Sequence, residues 1–239
     1  MKQSSGLGLF PGFPLLNGIL GFWLRCWLFS VVDRKGLLPE NHIAGILSIV
    51  LLALTLVVCL IGVKKVAPSE SYHSLFPTSV LSAIGTAVGA LGIGYAAITE
   101  RSSAPVGMLL LILGILSCGA LLFAAFCRYK GTRPDCLLYG LVAVYIMLRT
   151  LTLCRQWGSE TQLQMYLFQL LASVFMMVAC YYRAELTVRL GNCQRYVFFS
   201  QAAIFCCCLC LPLQDWLFYL SAGLWLAADF CTLPSANEC

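Results

Sequence analysis

The stretch YIMLRTLTLCRQWGSETQLQMYLFQLLAS, Tyr145–Ser173, decides the fold class. It reads as the end of one membrane helix, a short polar turn, and the start of the next. Most other apolar segments are nearly free of ionisable groups. This hairpin carries Arg149, Arg155 and Glu160 together with four glutamines.

Working outward, the same hairpin pattern fills the chain. Of its 239 residues, 60% are hydrophobic and only 10% are charged, where a soluble domain carries about 25% charged residues. The apolar residues come in unbroken runs near the roughly 20 residues that a bilayer core demands of a helix. These facts define an all-α polytopic transmembrane bundle of seven or eight spans, forming a single membrane domain over 1–239. The clear spans are 43–63, 77–99, 105–127, 136–154, 161–182, 196–211 and 215–231. The segment 14–32 contains Asn17 and Arg25, and either spans or lies in the interface with Trp23 and Trp27 as anchors. It lacks the small-residue site that follows a cleaved signal sequence.

Charge sets an expected orientation. Lys64, Lys65, Arg128, Lys130, Arg133, Arg183, Arg189 and Arg195 fall on one side, against Arg34, Lys35, Arg101 and Arg155 on the other. The positive-inside rule places the richer side, and with it the C-terminus, in the cytoplasm. The net charge of +5 needs no further cause. No basic cluster is dense enough to call for nucleic acid.

Several chemistries are excluded by residue count. His42 and His73 are the only histidines, and both fall in connections. That disfavours haem ligation between spans and a serine–histidine protease within the membrane. No lysine falls inside a span, which removes a retinal-type Schiff base. No Walker loop or dinucleotide fingerprint is present. No carboxylate lies in the middle of a span, leaving a carboxylate proton relay little to work with. No catalytic residue, cofactor or metal is expected. The fourteen cysteines form no disulfide framework. Most lie inside apolar runs, where free cysteine packs as a small hydrophobe. The tract Cys206–Cys210, CCCLC, is read the same way, with soft-metal binding as the alternative.

The second clear span is rich in small residues. Gly85 and Gly89 form a GxxxG, flanked by Ser82, Thr86, Ala90 and Gly94 at four-residue steps. Such faces let helix backbones approach closely. Tight packing within the bundle and a homo-oligomer or partner-subunit contact both use that face.

The candidate site is the opening hairpin. At about 100° per residue, Tyr145, Arg149, Thr152 and Gln156 fall within about 60° of one another. Gln162, Tyr166, Gln169, Ser173 and Cys180 form a matching stripe on the next helix. Lipid offers polar stripes no hydrogen bonds, so they turn toward each other or toward a shared cavity. Arg25, Asp215, Glu160 and His42 belong to the same outer end. Arginine offers a fixed fork of donors to a carboxylate or phosphate. The expected ligand contacts are therefore Arg149, Tyr145, Gln162 and Gln169, with Arg25 as a second cation. The competing reading is that Arg149 snorkels to the interface and the glutamines link helices by bonds worth about 0.6 kcal/mol each.

Cys154–Ala172, CRQW followed by an acidic turn and a QLxxYxFQLLA helix, together with the connection DRKGLLPENH (Asp33–His42), resembles uncharacterised small polytopic bacterial membrane proteins. The resemblance implies a bacterial plasma membrane and transfers no activity or site residue. The functional expectation is binding or transport of a small polar or anionic solute from the outer face. A structural or regulatory membrane partner is the alternative, and an intramembrane enzyme comes third.

Overall fold

A computed structural model describes residues 12–31, 43–64, 79–100, 105–157, 166–188, 192–213 and 215–231. They form eight helices: α1 (Gly12–Ser30), α2 (Ile43–Val63), α3 (Val80–Thr99), α4 (Pro105–Lys130), α5 (Cys136–Trp157), α6 (Leu167–Thr187), α7 (Cys193–Cys210) and α8 (Trp216–Cys231). Among the described residues there is no strand. The first seven helices are long and apolar enough to cross a membrane, and α8 is a shorter apolar helix. The all-helical membrane bundle expected from composition is the architecture observed.

The order of packing is simple. Helices α3, α4, α5, α6, α7 and α8 each touch the next, and α8 closes back on α3. Helices α1 and α2 pack together on the outside of α7. The 19 residues of α1 extend about 28 Å at 1.5 Å per residue. Its Gly18 and Gly21 let it settle on Cys208 and Leu209 of α7. Asn17 donates to the Thr55 hydroxyl at 3.1 Å and ties α1 to α2.

The helices are inverted relative to a water-soluble protein. Along α2, Ile46, Val50, Leu54, Val57 and Ile61 face outward, while Ala44, Ser48, Thr55 and Cys59 are buried. Large apolar side chains meet lipid, and small or hydroxylated ones face the bundle, as close helix contact in lipid requires. Ser48 and Thr55 satisfy their hydroxyls on the backbone one turn back, at 2.7 Å each. The end of α4 is closed by Gly131 at φ 72°, a left-handed position suited to glycine. The following Thr132 N–H donates back to the Cys127 carbonyl at 2.9 Å.

The small-residue face of α3 is occupied within the chain. A side chain at Gly85 would meet Ala228 of α8, one at Gly89 would meet Trp225, and one at Gly92 would collide with Ser221. A partner docking through Gly85 and Gly89 would first have to displace α8.

Helix α7 is buried on nearly every side. Cys206, Cys207 and Cys210 are each no more than 1% exposed. Cys207 lies 3.8 Å from the Met176 sulfur. Among the described residues, no group of three or more His, Cys, Asp or Glu is placed to hold a metal ion.

Candidate functional site

Among the described residues, two buried ionic clusters occupy opposite ends of the bundle, and α8 supplies a carboxylate to each. The first forms where α3 ends, α5 nears its end and α8 begins. Arg149 of α5 is 1% exposed, so it does not snorkel to water. Its Nε donates to both Glu100 oxygens at 3.0 Å. Its Nη2 donates to Glu100 Oε1 and, at 3.1 Å, to Asp215. The guanidinium lies over the Phe218 ring at 4.0 Å. Glu100 and Asp215 keep 20% and 31% of their side-chain surface, so they form the exposed lip of this end. Burial pushes the Glu100 carboxyl above its usual range, Arg149 pulls it back, and Asp215 pushes it up again.

Below that lip the polar stripes of α5 and α6 turn inward. Tyr145, Arg149, Gln169, Ser173 and Cys180 are all buried. The Tyr145 hydroxyl is fully enclosed, lies within electrostatic reach of Arg149, Glu100 and Asp215, and has no hydrogen-bond partner in the protein. Gln169 Oε1 and Arg149 Nη1 are likewise without a protein partner. The Tyr219 hydroxyl is enclosed against the side chains of Arg149 and Ser173. Deeper still, Gln201 of α7 is 0% exposed, and neither end of its amide is paired within the protein.

Of the five expected contacts, Arg149 and Tyr145 therefore lie together, and Gln169 is buried on the neighbouring helix α6. Arg25 belongs to the same end, because it interacts electrostatically with Cys210 at the end of α7. It is stacked over Phe29 at 4.9 Å and Phe168 at 5.0 Å. Gln162, Glu160 and His42 lie outside the described residues. One expectation changes in sign. Arg149 is not a bare cation awaiting an anion, since two carboxylates already hold it.

The second cluster was not foreseen. Asp229 of α8 is 0% exposed and pairs with Arg183 of α6 through both guanidinium nitrogens, Nη2 at 3.2 Å. Arg128 of α4 approaches it at 3.6 Å, and the Ser82 hydroxyl of α3 donates to it. Arg183 also lies over Tyr139 at 4.6 Å. In the sequence Arg128 and Arg183 count only toward the charge bias, and Asp229 falls within the last span. All three are buried. No motif in the sequence marks them; in the structure the helices run past each arginine, to Lys130 in α4 and to Thr187 in α6. A charge within a continuing helix must find a partner inside the bundle.

The chain matches no protein-family model, no curated protein and no solved structure. The site therefore has to be read from its own geometry.

Proposed function

We propose that this membrane protein binds, and carries across the bilayer, a small polar solute admitted at the Glu100–Asp215 end. The observation behind this reading is the set of enclosed polar atoms on Tyr145, Gln169 and Gln201 with no hydrogen-bond partner among the described residues. An unpaired buried polar group costs about 1–3 kcal/mol. A core with several is uneconomic as mere packing, and it suits a bundle whose interior hydrogen-bonds to an incoming molecule.

The two ionic clusters supply closures on either side of that interior. Opening the first means parting Arg149 from Asp215, which separates α5 from α8 at the lip. Opening the second means parting Asp229 from Arg183 and Arg128, which separates α8 from α6 and α4. The positive-inside bias makes the lip the outer end and puts the C-terminus in the cytoplasm. The expected setting remains a bacterial plasma membrane. The Asp229 cluster supports a second reading, a bundle held together by ion pairs without a ligand.

The test is thermal unfolding of the purified protein in nanodiscs against a panel of small polar solutes. A solute at ten times its Kd stabilises the folded state by about 1.4 kcal/mol. A reproducible rise for any solute, lost in Tyr145→Phe, supports the proposal. It is overturned if no solute acts and an experimental density map shows Tyr145, Gln169 and Tyr219 bonded to one another.

A further inference from the structure

The polar interior leaves the sulfur tract of α7 unexplained. Its thiols turn to different neighbours. Cys208 faces α1, where a Cβ at Gly18 would stand 2.8 Å from its sulfur. Cys207 faces α6 and α8 instead. Its thiol donates to the Met176 thioether of α6 at 3.8 Å. On the α8 side, a Cβ at Gly223 would stand 3.4 Å from the Cys207 Cβ. Cys210 lies three residues on, hence beside Cys207 on the helix surface, and the two thiols interact electrostatically. Cys207, Cys210 and Met176 are all no more than 1% exposed.

These three sulfurs make a ligand set of one kind. Two metal–sulfur bonds of about 2.3 Å span the 3.8 Å between Cys207 and Met176 at an angle of about 110°. An angle so far from linear leaves a third position open, and Cys210 is the sulfur beside it. Thiolates and a thioether are soft donors. Structural zinc takes its ligands from Cys, His, Asp and Glu, and among the described residues no three of those are placed to hold a metal ion. A soft monovalent cation accepts sulfur alone and needs no nitrogen or oxygen ligand.

We propose that Cys207, Cys210 and Met176 bind one soft monovalent cation, Cu(I) or Ag(I), between α6 and α7. A coordinating thiol is deprotonated by the ion it holds, so two protons leave as one monovalent ion enters. The filled set carries one negative charge, and Cys210 already interacts electrostatically with Arg25 and Arg149. The ion enters at the Glu100–Asp215 lip, because Cys210 ends α7 within electrostatic reach of Arg149, which both lip carboxylates hold. The tract read from sequence as packing, with soft-metal binding as its alternative, takes the second role at these two cysteines. The site is separate from the enclosed amides and hydroxyls of the solute reading and stands without it.

The full chain, reduced and in nanodiscs, is loaded with Cu(I) in the absence of oxygen and challenged with a competing chelator. One ion per chain is expected to stay, with three sulfur neighbours in X-ray absorption at the copper edge. Cys207→Ser should lose it. Met176→Leu, which keeps the volume, should weaken it by at least about tenfold, the loss typical of even a supporting residue. Cys208→Ser, on the α1 side, should hold the ion as the unaltered chain does. Circular dichroism of each variant separates a lost ligand from a lost fold, and Met176→Leu decides if Cys207→Ser does not fold. The proposal is overturned if no ion survives the competitor, if its neighbours are nitrogen or oxygen, if Met176→Leu holds it unchanged, or if Zn(II) is held as tightly.

Discussion

Replacing Asp229 by asparagine should be the most damaging conservative change in the chain. The substitution keeps shape and one acceptor oxygen for Ser82, and removes only the charge. At the 3.2 Å and 3.6 Å separations of Arg183 Nη2 and Arg128 Nη2 from Asp229, each gross attraction is about 5 kcal/mol at an effective dielectric of about 20. Repulsion between the two guanidinium groups, and desolvation of all three charges, absorb much of that sum. Two buried cations would then lack their shared carboxylate, at a net cost of about 3–5 kcal/mol. Asp215→Asn at the opposite end provides the control. Asp215 is 31% exposed and Glu100 still holds Arg149, so the loss there should be about 1 kcal/mol or less once solvent screening is counted. The assay is reversible unfolding in mixed micelles by SDS titration, followed by far-UV circular dichroism. The double variant Asp229→Asn/Arg183→Met should be more stable than the sum of its singles implies, by about 2 kcal/mol. A loss under about 1 kcal/mol for Asp229→Asn, or strict additivity in the cycle, refutes the reasoning.

Three further outcomes are expected. Gly85→Ala drives a methyl into Ala228 and should cost about 1–3 kcal/mol, while Gly45→Ala meets no atom within 4 Å and should gain up to about 1 kcal/mol from helix propensity; thermal melts of the pair decide. Burial holds the Glu100 carboxyl above its usual range, so the folded state keeps that proton to a higher pH than the unfolded state. Its contribution to stability therefore falls as pH rises from the ordinary glutamate range through the folded value, and a pH series of melts should show that slope flattened in Glu100→Gln. Cys206, Cys207 and Cys210 are enclosed and Cys26 and Cys154 partly exposed, so among these five a maleimide followed by peptide mass mapping should label Cys26 and Cys154 first and the other three only after denaturation.

The bundle was legible because membrane helices announce themselves by run length, and each clear span has a helix at its place. The helical phase of the Tyr145–Ser173 hairpin also turns Arg149, Tyr145 and Gln169 inward, and all three side chains are buried. What stayed hidden is long-range pairing. Glu100 looks like a loop charge until α3, α5 and α8 are placed side by side, 49 and 66 residues separating Arg149 from its two acids. Arg128 and Arg183 were absorbed by the positive-inside count, which weighs charges near span ends without asking which way they turn. Asp229 fell with them, because its partners lie 46 and 147 residues away. The glycine face of α3 was visible as a contact surface, but its occupant, α8, was not encoded in its own pattern.

The place of α8 at both ionic clusters has a consequence for how the protein is made. Arg128, Arg149 and Arg183 sit on α4, α5 and α6, and all three leave the ribosome before Asp215 and Asp229. During synthesis these arginines enter the membrane with two of their three carboxylates still untranslated, while the glycine side of α3 waits uncovered. Insertion and final closure are thus separated in time. Closure of both ends waits for α8, whose two carboxylates are the last charges of the clusters to be translated.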